Sequence, residues 1–429
     1  MVKVSKKLNT KNNVQQKEVT KYLKLQLDVL RVLGLFKLSR SEISHPYRFQ
    51  LQKIYITFTY TLSTIVLTLG YLCAFLKASK NFSELFKSLV EIVCVSTILI
   101  DIILLNMKNT ELLKLLDLMN SFDVTSRRSV FNDARKYERV VFVSYCVLIG
   151  FASACSFLLP FLPLSNEKCE FFQQIYGFKY PQNRLPTCLW IPYIDTSEPR
   201  WFTLFYTIEI YTAILWIGLA ITDALFYPFI LLHLSGQYKV LSSKLKILGR
   251  SSMCAASKWT LLKTLREKRM KRTQEIFEVK KCILFHRRLL SFRTLFDSVM
   301  ARNIQFRVII ILIITSLSAY PITLLSQFDS EKNVQFIAEF ILILSYYYFN
   351  CSMSENLDRC NSLIGHSVYQ SNWYAMCPEA RRMMVMFMRQ TQRPQHIRTL
   401  GGMVALGNVN FMNTLKFLYN FIRFVRIMK

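Results

Sequence analysis

Seven stretches of the chain stay apolar long enough to form helices across a bilayer core, which takes about 20 residues. They run roughly over 54–76, 84–105, 140–165, 203–232, 305–326, 334–353 and 404–428. The second is the least uniform, because it carries Lys87, Glu91 and Asp101. The segment 233–304 is long and polar, yet apolar residues recur in it every three or four positions (Val240, Leu245, Ile247; Ile276, Val279, Ile283, Leu284). That period is helical. It predicts that spans four and five continue as helices beyond the membrane, joined by the basic stretch Leu262–Arg272, with a calmodulin-type target as the rival reading of that stretch. Span six continues likewise through Ser354–Arg359. The expectation is an all-α, seven-transmembrane helical protein.

The last sixty residues carry the densest pattern. A Trp373-Tyr374 corner leads to a short Met- and Arg-rich amphipathic helix, which stops at Pro394. A Gly401-Gly402 hinge then opens a final helix. At 100° per residue, Asn413, Lys416, Tyr419, Asn420, Arg423 and Arg426 share one arc of it. Phe411, Leu415, Phe417, Leu418, Phe421, Ile422, Phe424, Val425 and Met428 fill the rest. A lipid-buried helix carries that many polar groups only if they face protein or water. The helix therefore either lines an aqueous path or lies on the membrane surface.

Charge orients the chain. The segments 1–53, 106–139, 233–304 and 354–403 hold 42 Lys and Arg between them, against 8 in the alternate segments 77–87, 166–202 and 327–333. By the positive-inside rule the N-terminus is cytoplasmic and, after seven spans, the C-terminus is extracellular. Topology thus accounts for most of the net charge of +28, and nucleic acid is not an expected partner.

Composition agrees. The chain is 52% hydrophobic, with 33 Phe and 21 Tyr but only 11 Gly and 11 Pro, which excludes an ordinary soluble protein and an all-β fold. The 11 Cys show no zinc spacing. Cys169 and Cys188 lie together in the outer loop 166–202 and are the candidate disulfide. Asn81-Phe82-Ser83 is a glycosylation sequon. Four Pro and several aromatics in the outer loop predict a packed cap over whatever lies beneath it.

No phosphate loop, metal cluster or nucleophile elbow is present, so neither enzymatic activity nor a cofactor is expected. Intramembrane charges are the candidate chemistry: Glu91, Asp101, Glu209, Asp223, Arg307 and Glu339. Asp223 and Arg307 are expected to pair structurally. Glu209 and Glu339 fall in the outer halves of spans four and six, near Phe205, Tyr206, Ile210, Thr212, Trp216, Phe336 and Phe340. An apolar, aromatic cavity with few polar groups suits a small volatile molecule. A G-protein-coupled receptor is disfavoured by the inverted topology and the missing Asp-Arg-Tyr and Asn-Pro-x-x-Tyr motifs. A transporter is disfavoured by the lack of an internal repeat.

Ser367, Tyr369 and Trp373, then Gln392-Arg393-Pro394, then Phe411 and Tyr419 occur in the order of the C-terminal signature of the insect odorant receptors, which the chain resembles over its whole length. The resemblance implies an odorant-tuning subunit of a ligand-gated, non-selective cation channel. In the family's pattern such a subunit joins a shared odorant co-receptor in a heteromer of four chains, in the plasma membrane of sensory-neuron dendrites and without a G protein. It implies an organisation of 1–53 as a cytoplasmic segment, 54–232 as spans one to four, 233–304 and 354–403 as a cytoplasmic anchor, 305–353 as spans five and six, and 404–429 as a pore-lining helix. It adds Leu89, Val93, Ser153 and Phe157 to the ligand candidates, and puts Asn413 and Asn420 along the path with Phe424 and Met428 at its gate. Lys416, Arg423 and Arg426 depart from a cation pore, since four copies would repel cations while one among neutral neighbours is tolerable. The alternatives are a gustatory-type receptor channel and a metabotropic seven-helix receptor.

Overall fold

The computed structural model describes residues 28–29, 46–122, 128–161, 163–164, 166–187, 189–249, 265–323, 330–392, 397–399 and 402–427. Ten α-helices cover most of them: α1 Pro46–Leu76, α2 Phe82–Met107, α3 Asn109–Asn120, α4 Arg128–Leu158, α5 Asn166–Tyr176, α6 Pro199–Ile247, α7 Leu265–Thr323, α8 Ser330–Tyr369, α9 Pro378–Thr391 and α10 Asn408–Ile427. Each of the seven apolar stretches falls on one long helix: α1, α2, α4, α6, α7, α8 and α10. The fold is membrane-helical and multi-pass. Among the described residues, Gln50–Lys80, Glu84–Met107, Pro199–Ile247 and Arg269–Tyr320 are long and apolar enough to cross a membrane.

The predicted continuations are real helices. α6 runs 49 residues and α7 runs 59, each well beyond what a bilayer requires. The joining stretch Leu262–Arg272 is described only from residue 265 onward, where it is already α7. Several hydroxyls inside the spans are satisfied within their own helix. In α1 the hydroxyls of Thr57, Thr59, Thr64 and Thr68 each donate to the carbonyl four residues back at 2.7–2.9 Å. Val140, Val143, Val147, Phe151 and Leu158 stand exposed along one side of α4, the mark of a lipid-facing ridge.

α6 packs along α8, α4 against α6, and α2 against α7. The largest core lies toward the end of the molecule that carries the basic segments, called here the basic end. Tyr238, Leu241, Leu245, Phe292, Phe296, Leu357, Ile364, Met384 and Phe387 are buried together there. α9 closes this core: the Cys377 N–H donates to Glu275 at 2.9 Å, and Arg272 pairs with Glu379. α6 ends at Ile247, and Gly249 just beyond its cap has a φ of 78°, the left-handed conformation that glycine adopts without strain. A Cβ there would meet the Asn372 carbonyl oxygen at 2.4 Å.

Two expectations need correcting. The last helix does not begin at the Gly-Gly hinge: Val404-Ala405 pair antiparallel with Arg398-Thr399, and α10 starts at Asn408. An extended pair meets its backbone hydrogen bonds across the turn, which helical periodicity does not foresee. The proposed Cys169–Cys188 bridge does not form, because Cys169 is a free thiol on helix α5, while Cys73 at the end of α1 is disulfide-bonded. The first part of the outer loop is helix α5, which carries Cys169 with it. Cys188, Pro394, Gly401 and Met428 lie outside the described residues.

Candidate functional site

The loop between α4 and α6 is packed over the opposite end of the bundle, the loop end. Ile175 and Tyr176 of α5 are buried with Cys73 and Ala78, and Phe171, Phe172, Phe178 and Trp190 close around them. Lys77 Nζ sits 5.5 Å from the Trp190 ring centroid, within cation–π range. The strap after α5 is pinned by Asp195. Its carboxylate accepts from Ser197 N and Oγ at 2.9 and 2.7 Å and from Lys179 N at 3.0 Å. Burial raises its pKa, but these hydrogen bonds outweigh it and leave the carboxyl below its ordinary range.

Beneath the strap, carboxylates of two spans reach toward the loop. Thr187 donates to Glu209 of α6 twice, from Oγ1 at 2.7 Å and from its backbone N–H at 3.2 Å. Glu209 is buried. Tyr176 OH donates to Glu84 of α2 at 3.3 Å; burial and this carboxylate hold its phenol well above the ordinary range. Glu91, one helical face along α2, is half-buried and within electrostatic reach of Glu209. Tyr206 OH donates to the Phe157 carbonyl at 3.1 Å, tying α6 to α4, and its ring meets Phe161 edge-on at 5.5 Å. The arrangement is an aromatic-rich region with a few fixed oxygens, with a strap packed against it.

The sequence candidates divide. Glu209 and Tyr206 stand at the strap and the α4–α6 contact. Leu89, Val93, Ser153, Phe157, Phe205 and Phe340 are half-buried on helices that meet there. Thr212 is buried but bonds its own helix through the carbonyls of Ile208 and Glu209. Trp216 packs against the main core, and Ile210 is exposed on the far side of α6. The side chains of Phe336 and Glu339 lie outside the described residues. Thr187 and Glu84 escaped sequence reasoning, and Tyr176 figured only among the aromatics that, with the Pro residues, marked the loop as packed. Asn81 sits in the turn between α1 and α2, where its carbonyl accepts from Leu85 N at 3.0 Å.

The expected Asp223–Arg307 pair is present and larger than expected. Arg307 Nε donates to Asp101 Oδ2 at 2.7 Å, Nη1 to Tyr346 OH at 3.0 Å, and Nη2 pairs with Asp223. Asn303 Nδ2 donates to the Asp101 carbonyl at 2.8 Å. Four helices, α2, α6, α7 and α8, are thereby joined at one buried guanidinium.

α10 has two unlike halves. Thr414 and Leu418 are buried, and Phe411, Leu415, Phe421, Ile422 and Val425 lean with them toward α7 and α8. Asn413, Lys416, Asn420, Arg423, Phe424 and Ile427 are exposed, so the polar arc is on the uncovered side. Phe417 and Phe424 belong to that side too and not to the packed remainder.

The sequence model of the family described as 7tm Odorant receptor matches residues 81–419. The insect olfactory receptor OR5 from Machilis hrabei superposes with a TM-score of 0.73 at 11% identity, over 96% of this chain and 100% of its own. The same receptor in complex with eugenol gives 0.70 at 12% identity over the same shares, 96% and 100%. No curated protein matches the chain by sequence. At such identities the structural likeness speaks for the fold, while the family rests on the sequence match across most of the chain. The chain belongs to the 7tm odorant receptor family.

Proposed function

We propose that the chain is the odorant-specific subunit of a heteromeric, odorant-gated, non-selective cation channel that assembles with odorant co-receptor subunits. The observation that carries this reading is the uncovered half of α10. Asn413, Lys416, Asn420 and Arg423 run down it beside Phe424. Lipid is a poor solvent for that face, and a water-filled path shared with neighbouring subunits suits it. Phe424 then supplies one side of an apolar constriction. The basic residues favour one such chain among neutral partners over four copies of it.

At the loop end the aromatic region beneath Thr187 is the place for a small volatile ligand. The Machilis hrabei receptor was solved in complex with eugenol, a molecule of that class. The positive-inside pattern supports a cytoplasmic basic end and an extracellular loop, and in this reading the membrane is that of a sensory neuron. The test is whole-cell current on addition of a panel of volatile molecules, with the chain alone and with a co-receptor subunit. Fast cation current only in the co-expressing cells supports the reading. Current from the chain alone refutes the need for a partner. A second-messenger response without such current refutes the channel.

A further inference from the structure

We infer that Glu355 of α8 is a positioning residue, a latch that holds the first turn of α10 and hands movements of α8 to it. The inference rests on α10 lining the path. A helix begins with backbone N–H groups that no residue of the helix can accept, and a Ser, Thr, Asp or Asn side chain at the cap usually takes one. Here the residue before α10 is Gly407, which has none. The cap comes from α8 instead. Cys351 accepts from the Gly407 backbone N–H, and Glu355 Oε2 accepts from the Asn408 N–H at 3.4 Å. Ser354 Oγ donates to the Leu406 carbonyl at 2.9 Å, and Asn410 Nδ2 donates to Tyr347 OH at 2.6 Å.

Tyr347, Cys351, Ser354 and Glu355 follow one another at helical spacing, so they form a single stripe of α8. The carboxylate also meets the positive end of the α10 dipole. A Cβ at Gly407 would lie 2.8 Å from Glu355 Oε2, so a side chain there pushes the carboxylate off the Asn408 N–H. The other half of α8 reaches the loop end, where Phe340 stands. A shift of α8 there is carried to α10 through these four bonds.

The test is a double-mutant cycle with Glu355→Ala, Gly407→Ala and both together, expressed with a co-receptor and scored by maximal evoked current, half-maximal concentration and surface level. Each single change is expected to lower maximal current at unchanged surface level, with the half-maximal concentration nearly constant. In the double variant the added methyl has nothing to strike, so its effect is expected to fall short of the product of the singles by about tenfold, the usual size of coupling between contacting residues. Multiplicative effects, or losses confined to surface level, overturn the latch. If the wild-type pair carries no evoked current, the channel reading fails instead. The latch is then judged by the same cycle in thermal unfolding of the purified protein, where additivity overturns it.

Discussion

Replacing Arg307 by Met is the sharpest test of the packing. The guanidinium is buried between Asp101 and Asp223, with side-chain exposures of 10%, 0% and 7% for the three residues in that order. Removing it leaves two carboxylates without their cation in a place water does not reach. Breaking a buried pair in this way costs about 3–5 kcal/mol, while replacing all its members by neutral groups of similar volume costs little. At about 1.4 kcal/mol per tenfold, the single change shifts the balance between native and misfolded chains by roughly a hundred- to a few thousand-fold. The exposed Arg272–Glu379 pair is the internal control, worth ~0–1 kcal/mol. The assay is thermal unfolding of detergent-purified protein, read with surface delivery in cells. Arg307→Met is expected to lose both, Arg307→Lys to fall between, and Asp101→Asn/Arg307→Met/Asp223→Asn to recover most of the loss. Wild-type stability in Arg307→Met, or a triple variant worse than the single, refutes the reasoning.

Thr187→Ala removes the 2.7 Å hydroxyl bond to Glu209 and is expected to cost about 1–3 kcal/mol at the strap; a concentration–response curve reads it as a rightward shift of about five- to a hundredfold, and Thr187→Ser should restore the wild-type curve. His286 lies between the rings of Tyr238 and Phe387, and burial pushes its imidazole down to about 4. The unfolded chain therefore takes up a proton that the folded chain refuses, so this contribution is intact above about pH 6.5 and is lost as pH falls toward 4. His286→Leu should flatten that limb of a stability-against-pH profile measured in detergent. Gly249→Ala combines a φ of 78° with a 2.4 Å approach to the Asn372 carbonyl, so its melting temperature should drop by several degrees, and an unchanged value would mean the α6–α9 corner is slack.

Much of this molecule is legible before folding because helix and membrane both impose local periods. Apolar runs mark the seven long helices, and the 100° arc of Asn413, Asn420 and Arg423 marks the uncovered side of α10. The Asp223–Arg307 pairing is legible for a different reason: in lipid a charge has few acceptable partners. What the sequence hides depends on contacts between distant residues. Thr187 meets Glu209 because the strap crosses back over α6, and Thr187 itself is an unremarkable loop residue. Glu355 caps a helix that begins 53 residues later, so no local cap motif announces it. The Val404–Ala405 pairing with Arg398–Thr399 is two residues deep on each side, too short for alternation to register. Cys73 sits in an apolar run and reads as a small packing residue, yet it is disulfide-bonded.

The central claim is that the uncovered half of α10 faces a conducting path. Single cysteines at Asn413, Asn420 and Phe424, and at the buried Thr414 and Leu418, can each be expressed with a co-receptor and exposed to a charged thiol reagent during evoked current. The account predicts that modification changes current at Asn413→Cys, Asn420→Cys and Phe424→Cys and leaves Thr414→Cys and Leu418→Cys untouched. Current insensitive to the reagent at all three exposed positions, in channels that reach the surface and respond to ligand, would contradict it.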